Sequence, residues 1–293
     1  MSTRATVGGI VVPELELNVQ REFQFSDEDF DKVRSLIHGR AGIALSPSKR
    51  EMVYSRLARR LRELRMASFR AYLGLLANDT HPEWENFVNA LTTNLTSFFR
   101  ESHHFPILAE HLKARARSGE PIELWCSASS TGEEPYSMAM TVLEAFPGGV
   151  PQVRITATDV DTQVLAFAER GIYPADRVEK LPPERVRRFF LRGTNEQAGS
   201  VRVRPELRAM IRFSKLNLLD RQLPLKSRFD AIFCRNVMIY FDRPTQRAII
   251  QKFVPLLKPD GLLFAGHSES LHHCADLFRL RGRTVYELAD GRV

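Results

Sequence analysis

The chain has 293 residues, of which 43% are apolar and 26% charged, enough for about two soluble domains with buried cores. It contains no apolar run near the ~18 residues of a membrane-spanning helix and no signal-peptide pattern at its start, which favours a cytoplasmic protein. A net charge of +7 indicates an acidic partner, and nucleic acid, a membrane surface or an acidic protein would each satisfy it. Widely spaced cysteines indicate reduced core thiols at Cys126, Cys234 and Cys274.

The first third of the chain is predicted to be helical. Residues 1–24 lack periodicity, and we expect them to be disordered or loosely held. Ser26 precedes an acidic segment with Asp29 at the capping-box position, so a helix is expected to begin there. Pro47 can open a second helix, two further helical patterns follow, and no strand-like alternation occurs before residue 120. Residues 25–92 are therefore predicted to form an all-α N-terminal domain.

The pattern changes near residue 120, where apolar strands begin to alternate with amphipathic helices. The predicted strands are IELWCSA, VRITATDV, FDAIFCRNV and GLLFAGHS. Continuous apolar strands separated by helices indicate an α/β fold with a mostly parallel sheet covered on both faces. The segment FRLRGRTVYELA predicts an antiparallel hairpin on the sheet edge. Residues 93–293 are therefore predicted to form the second domain.

Residues 174 to about 210 interrupt this alternation. The segments ERVRRFFLRG and SVRVRPEL predict a hairpin, and TNEQAG predicts its turn-rich tip. Gly193 and Gly199 flank that tip. We therefore expect a small antiparallel β-subdomain inserted into the sheet domain.

The segment ASSTGEEPY joins the first predicted strand to its helix, where an open α/β sheet binds a nucleotide. Only Gly132 is present, so the G-x-G-x-x-G pattern that admits a pyrophosphate is missing. Glu133 and Glu134 at the helix start would repel a pyrophosphate but not a cationic nucleoside, which favours S-adenosylmethionine. The alternative is that both carboxylates only complement the helix dipole.

Asp159 ends the second predicted strand, in ITATDVD. A carboxylate at this position can accept hydrogen bonds from both ribose hydroxyls. The alternative role is a helix N-cap, which Asp161 can supply instead. The two strand ends together indicate nucleoside binding, and the missing glycines favour S-adenosylmethionine over NAD.

Six segments, in order between residues 26 and 289, resemble the CheR family of chemotaxis receptor glutamate methyltransferases. They are LTTNLTSFFRESHHF, STGEEPYSMAM, ATDVD, NLL, FCRNVMIYF and LLKPDGLLFAGHSES. The resemblance implies a helical substrate-recognition domain and a class I, Rossmann-like methyltransferase domain with a β-subdomain insert. It implies methyl transfer from S-adenosylmethionine to receptor glutamates for sensory adaptation, with glutamate methyl esters and S-adenosylhomocysteine as products. Ala128 and Ser129 stand where many members have Gly-Cys, and they adopt a positive φ less easily than glycine.

The resemblance also implies the residues of the site. Arg100 and Tyr240 would face the reacting groups, with Arg100 holding a carboxylate by a bidentate fork. The alternatives are a surface salt bridge of Arg100 with Glu101 or a neighbouring acid, and core packing of Tyr240 beside Phe241. A glutamate acceptor is already ionised near pH 7, so alignment rather than a general base is required. The implied cofactor contacts are Asn94, Thr96, Arg100, Glu133, Asp159, Asn217, Leu218, Arg235, Asn236 and Val237.

Two basic regions are candidates for substrate recognition. In SKREMVYSRLARRLRELR, a rotation of ~100° per residue predicts a basic stripe of Lys49, Arg56, Arg59 and Arg60. The stripe suits the acidic methylation helices of receptors, although a merely solvated face is the alternative. Nucleic acid is disfavoured because no aromatics interleave. The resemblance implies that the insert can capture a receptor C-terminal peptide as an added strand, because some family members use this subdomain in that way. Its arginines would meet an acidic tail or merely face solvent: Arg187, Arg188, Arg192, Arg202 and Arg204.

Two rival functions stay open at this stage. A nucleic-acid methyltransferase needs an aromatic base-flipping pocket, for which RNVMIYF is a poor candidate. A cofactor-binding scaffold without turnover would keep Asp159 but would need neither Arg100 nor Tyr240. The histidines form no metal-binding set. We expect a cytoplasmic monomer that binds no nucleic acid, does not insert into the membrane and is recruited to membrane receptor arrays.

Overall fold

The computed structural model describes residues 21–289. The expectation that residues 1–24 are loosely held falls mainly on residues 1–20, which lie outside the described residues. Within residues 21–289, no helix combines the length and the apolarity needed to cross a bilayer.

The N-terminal region is helical, as predicted, and packs around its own apolar core. Ser26 forms the predicted capping box, because its hydroxyl accepts the N–H of Asp29 while the Asp29 carboxylate accepts the N–H of Ser26. Pro47 begins a 3₁₀ turn that continues into the second helix. The helices are α1 (Asp27–Ala41), α2 (Arg50–Glu63), α3 (Phe69–Leu75) and α4 (Glu83–Leu91).

The rest of the described chain alternates strands and helices. The strands are β1 (Ile122–Cys126), β2 (Val153–Asp159), β3 (Ile172–Pro174), β4 (Phe190–Arg192), β5 (Ser200–Val203), β6 (Ile211–Lys215), β7 (Phe229–Cys234), β8 (Leu257–Ala265), β9 (Phe278–Gly282) and β10 (Val285–Leu288). The helices are α5 (His104–Ala116), α6 (Glu133–Ala145), α7 (Thr162–Arg170), α8 (Pro183–Phe189), α9 (Pro205–Arg208) and α10 (Arg243–Phe253).

The main sheet has the order β6-β2-β1-β7-β8-β10-β9. Its neighbours pair in parallel except at β10, which is antiparallel to both β8 and β9. This confirms the predicted mostly parallel sheet with an antiparallel edge hairpin. Because β1 lies between β2 and β7, the carboxyl ends of these three strands meet at one edge.

Alternate side chains of β1 enter apolar cores on opposite faces of the sheet. Leu124 and Cys126 belong to the core beneath α5 and α6. Trp125 belongs to the other core, where its ring lies 5.0 Å from that of Phe253 in α10. The cysteines are buried free thiols, as predicted: Cys126, Cys234 and Cys274.

The insert is a small antiparallel sheet with the order β3-β5-β4, which confirms the predicted β-subdomain. The prediction that ERVRRFF begins a strand was wrong. Pro183 lies at the start of α8, where its fixed φ favours a helix, and the strand begins only at Phe190. Helix α5 and strand β6 were not predicted from the sequence. Strand β6 lacks an apolar run because it is a half-exposed edge strand.

Candidate active site

A cavity lies between the helical domain and the carboxyl ends of β1, β2 and β7. Ala41, Ile43 and Leu91 contribute its wall on the helical side. The opposite wall contains most of the predicted site residues. Those lining the cavity are Asn94, Thr96, Arg100, Asp159, Arg235, Asn236, Val237 and Tyr240.

The turn after β1 requires glycine at one position. Gly132 has a φ of 98°, and a Cβ there would lie 2.8 Å from both Ala168 Cβ and Tyr173 Oη. The other left-handed residue of this turn is Ser130, with a φ of 47°. Ala128 and Ser129 are not among the positive-φ residues of the described chain, so the departure from Gly-Cys imposes no backbone strain.

Asp159 ends β2 at the cavity and is nearly buried. Its carboxylate accepts the N–H of Ser130 at 2.8 Å and that of Asp161 at 3.0 Å. Burial raises the pKa of Asp159 to about 6, although both N–H groups act in the opposite direction. Asp161 is the N-cap of α7, so the competing role that we considered for Asp159 is filled. The Asp159 carboxylate can therefore accept further hydrogen bonds from a ligand in the cavity.

Arg100 lines the cavity and donates one hydrogen bond, at 2.7 Å, to the carbonyl of Leu95. The proposed alternative, a salt bridge between Arg100 and Glu101, does not form. Glu101 pairs instead with Arg235 at 3.3 Å and with His267 at 2.9 Å. No other group in the described part of the chain accepts a hydrogen bond from the Arg100 side chain, so its remaining N–H groups are available to an anion.

The loop after β7 supplies Arg235, Asn236, Val237 and Tyr240 to the cavity wall. The Arg235 side chain is buried and lies 2.9 Å from the carboxylate of Glu134. Tyr240 is half-buried at the cavity wall rather than packed in a core. Its carbonyl accepts the N–H of Ala44 at 2.8 Å, which joins this loop to the helical domain.

Comparison with known proteins decides the family. The chain matches "CheR methyltransferase, all-alpha domain" over residues 28–92 and "CheR methyltransferase, SAM binding domain" over residues 94–286. It is 52% identical to the chemotaxis protein methyltransferase of Escherichia coli strain K12, over 94% of this chain and 96% of that protein. It is 50% identical to chemotaxis protein methyltransferase 2 of Pseudomonas aeruginosa PAO1, over 92% and 96% of the two chains. The chain belongs to the CheR methyltransferase family.

Membership of the CheR family confirms the predicted resemblance, the enzyme class and S-adenosylmethionine as the methyl donor. The cavity residues fit this group. The Asp159 carboxylate suits ribose hydroxyls, and Ile43, Leu91 and Val160 offer an apolar surface to a purine. The Glu134 carboxylate suits a cationic amino-acid tail. These assignments of individual contacts stay predictions.

Glu133 and Glu134 have different surroundings, and the structure brings only Glu134 to the cavity wall. The buried Glu133 carboxylate accepts the hydroxyl hydrogen of Thr131 at 2.6 Å and pairs with Arg177 of the insert at 3.4 Å. Burial raises the pKa of both glutamates, in Glu134 despite the nearby charge of Arg235. The position of Glu133 therefore does not support the predicted contact with the cofactor. Glu134, by contrast, lies at the cavity wall, where it can contact a ligand.

Asn217 and Leu218 follow β6 and do not line the main cavity. Asn217 donates to the carbonyl of Arg40 at 2.8 Å and lines a second, polar cavity between the two domains. Val160 lines both cavities, so the second adjoins the first. The Leu218 side chain is buried in a core, which leaves only its backbone for a ligand contact.

The predicted basic stripe on α2 divides into two pairs. Lys49 and Arg59 are exposed, as a recognition surface requires. Arg56 donates to the carbonyls of Ala90 and Thr92, and Arg60 makes a two-bonded ion pair with the buried Glu83. The prediction that all four side chains form one exposed basic stripe is therefore wrong for Arg56 and Arg60. The hydrogen bonds of these two side chains join α2 to α4.

Proposed function

We propose that this chain is a protein-glutamate O-methyltransferase that modifies glutamates on the cytoplasmic helices of chemotaxis receptors. The observation that carries the proposal is one cavity lined by Asp159, Arg100 and Tyr240, in a chain of the CheR family. The names of its relatives, chemotaxis protein methyltransferases, support the choice of substrate. The products are a glutamate methyl ester and S-adenosylhomocysteine.

The mechanism that these residues support is alignment. S-adenosylmethionine, when bound, supplies an electrophilic methyl group. Asp159 accepts hydrogen bonds from the ribose and fixes the nucleoside at the end of β2. Arg100 holds the acceptor carboxylate with its free N–H groups, and Tyr240 donates its hydroxyl hydrogen to the same carboxylate. The acceptor is an anion near pH 7, so no side chain has to remove a proton.

The apolar part of the wall contributes by excluding water. Ile43, Leu91 and Val237 line the cavity beside the charged groups. An anionic acceptor and a cationic donor neutralise each other during methyl transfer, so a low dielectric around them favours the reaction. The hydrogen-bond donors of Arg100 and Tyr240 take the place of the water molecules that hydrate the acceptor carboxylate in solution.

The decisive experiment transfers labelled methyl groups from S-adenosylmethionine to a receptor cytoplasmic fragment and then applies mild alkali. We expect the label to be released as methanol, which identifies a carboxyl ester. Arg100→Ala should lower kcat/KM about a hundredfold, or ~2.7 kcal/mol, whereas the exposed Arg117→Ala, at the end of α5, should leave it unchanged.

Other outcomes would reject the proposal. Alkali-stable label would indicate a nitrogen or nucleic-acid acceptor. S-adenosylhomocysteine binding without methyl transfer would favour the non-catalytic scaffold. Full turnover in Arg100→Ala would remove Arg100 from the mechanism.

We also propose two contacts with the receptor, made by a cytoplasmic monomer that is recruited to receptor arrays. Lys49, just before α2, and Arg59 on α2 would meet the acidic methylation helices. In the insert, an apolar groove lined by Val186 and Phe190 also contains Arg187 and Arg192. The strand β4, which carries Phe190 and Arg192, is an edge strand of the small sheet. Such an edge suits an extended receptor peptide with apolar and acidic residues.

The peptide contact can be tested by fluorescence anisotropy with a labelled C-terminal receptor peptide. We expect Arg192→Glu, at the groove, to weaken binding about tenfold, which corresponds to ~1.4 kcal/mol. Arg117→Glu is the matched control and should bind as the parent does. Equal affinities for all three proteins would exclude this groove.

A further inference from the structure

The loop Arg235–Tyr240 carries much of the cavity wall in an unusual backbone conformation. Arg235, Asn236, Val237 and Tyr240 all line the cavity. Asn236 has a φ of 57°, in the left-handed region that non-glycine residues adopt at a cost of roughly 1 kcal/mol. Such a conformation persists only where the surroundings hold it in place.

Glu269 holds the backbone of this loop. Its side chain is almost completely buried, and its carboxylate accepts four backbone hydrogen bonds. One oxygen accepts the N–H groups of Asn236 at 2.8 Å and of Gly266 at 2.6 Å. The other accepts those of Met238 at 2.8 Å and Ile239 at 3.4 Å, at the start of the 3₁₀ turn that ends in Tyr240. An ionised acceptor makes such bonds stronger than a neutral one does.

The close approach of Glu269 also explains a glycine. A Cβ on Gly266 would lie 2.7 Å from Glu269 Oε2 and 2.5 Å from Asn236 Nδ2. These contacts are shorter than a Cβ tolerates, so the position admits no larger residue without displacing the loop. The loop and its carboxylate therefore fit each other closely.

Glu101 holds the side chains of the same loop. Its carboxylate accepts a hydrogen bond from Asn236 Nδ2 at 3.2 Å and pairs with Arg235 at 3.3 Å. Burial alone would raise the pKa of Glu101, but the hydrogen bond from the His267 ring and the charge of Arg235 lower it to about 2. Glu101 is therefore ionised throughout the neutral range.

We infer that Glu269 and Glu101 are positioning residues for methyl transfer, which present Asn236 and Tyr240 in their working geometry before any ligand binds. Neither residue is part of the cavity lining. Glu269 acts through the backbone of the loop, and Glu101 acts through Arg235 and Asn236. The inference rests on the proposed function, because that proposal assigns the loop to the methyl donor and the acceptor.

Replacement of Glu269 by glutamine tests this arrangement without changing its volume. A glutamine has one carbonyl oxygen and one amide nitrogen, so one pair of backbone N–H groups would face another donor. We expect Glu269→Gln and Glu101→Gln to bind S-adenosylhomocysteine at least tenfold more weakly by calorimetry, at a temperature where both are folded. We expect kcat to fall as well, because Tyr240 moves with the loop.

Asp230→Asn is the matched control for a loss of stability alone. Asp230 is another buried carboxylate, but it lies at the start of β7, away from the cavity, and binds Arg115, Lys258 and the N–H of Glu123. Its substitution should lower the melting temperature and leave S-adenosylhomocysteine affinity unchanged.

The inference is overturned if the folded glutamine variants bind S-adenosylhomocysteine and turn over within about twofold of the parent, a difference of ~0.4 kcal/mol. If Glu269→Gln does not fold, the affinity and kcat of Glu101→Gln decide whether the inference holds. A parent protein that binds S-adenosylhomocysteine but methylates no receptor would reject the proposed function. The affinities of the variants would still decide the positioning role.

Discussion

At the scale of single residues, the proposed ribose contact makes ligand binding depend on the protonation state of Asp159. Burial raises the pKa of this carboxyl to about 6, and the N–H groups of Asp161 and Ser130 offset the effect only in part. Ribose hydroxyls donate to the ionised form, so binding of the nucleoside should lower this pKa. By linkage, affinity must then be higher above pH 6 and must fall as Asp159 becomes protonated below it.

We therefore expect the affinity for S-adenosylhomocysteine to fall about tenfold between pH 7 and pH 5, one unit below the pKa of Asp159. Isothermal titration calorimetry between these two pH values measures this affinity directly. Asp159→Asn should bind weakly with no comparable dependence on pH. An affinity that stays constant, or that rises toward pH 5, would contradict the proposed contact with ribose.

At the scale of elements, α2 has one side that stabilises the fold and another that is free for recognition. The Glu83 side chain is only 5% exposed and accepts hydrogen bonds from Arg60, Tyr72 and Asn86. Arg59 is 78% exposed and, among residues 21–289, pairs only with Glu63 on its own helix. Removing Arg60 would leave a buried charge uncompensated, whereas removing Arg59 would not.

We expect Arg60→Ala to lower the free energy of unfolding by about 3 kcal/mol, and Arg59→Ala by less than about 0.5 kcal/mol. Urea denaturation compares the two. Arg59→Glu should instead raise KM for a receptor fragment several-fold at unchanged affinity for S-adenosylhomocysteine. A larger stability loss in Arg59→Ala than in Arg60→Ala would refute this division of the helix.

At the scale of the whole molecule, polar contacts connect the helical domain to the sheet domain around the cavity. Thr92 donates to Asp161 at 2.6 Å, Lys215 pairs with Glu85 at 2.7 Å, and Ala44 donates to the Tyr240 carbonyl. Because both domains line the cavity, a ligand bound there contacts both. Its binding energy should therefore stabilise them together.

Calorimetry should accordingly show one unfolding transition that moves as a unit when S-adenosylhomocysteine is added. At a ligand concentration of 100 times Kd, the added stability should be about 2.7 kcal/mol. Two transitions, of which only the later-melting one moves, would mean that the ligand contacts a single domain.

Features that depend on neighbouring residues were predictable from the sequence. The Ser26 capping box, Pro47 at a helix start and Asp161 as an N-cap each involve partners within about one helical turn. Gly132, in the turn between β1 and α6, and Asp159, at the end of β2, were located from the apolar runs of the two strands. Local signals thus located the cavity and the sheet around it.

Features that depend on distant partners were not predictable. Helical periodicity does not show that Arg60 meets Glu83 from another helix, or that Glu134 rather than Glu133 faces the cavity. Glu269 lies in the segment LLKPDGLLFAGHSES, but nothing in that segment shows that its carboxylate binds the backbone of a loop elsewhere in the chain. Tertiary packing determines each of these contacts.

The hydrogen bonds of Arg56 have a further consequence. They run from α2 to the carbonyls of Ala90 and Thr92, just ahead of the cavity residue Asn94. Helix α2, with the exposed Arg59 and with Lys49 just before it, is thereby joined to the methyl-donor site. Any gain in donor affinity that receptor docking produces must appear as an equal gain in receptor affinity when the donor binds. With such coupling, the cell's supply of methyl donor would itself change how tightly the enzyme binds each receptor.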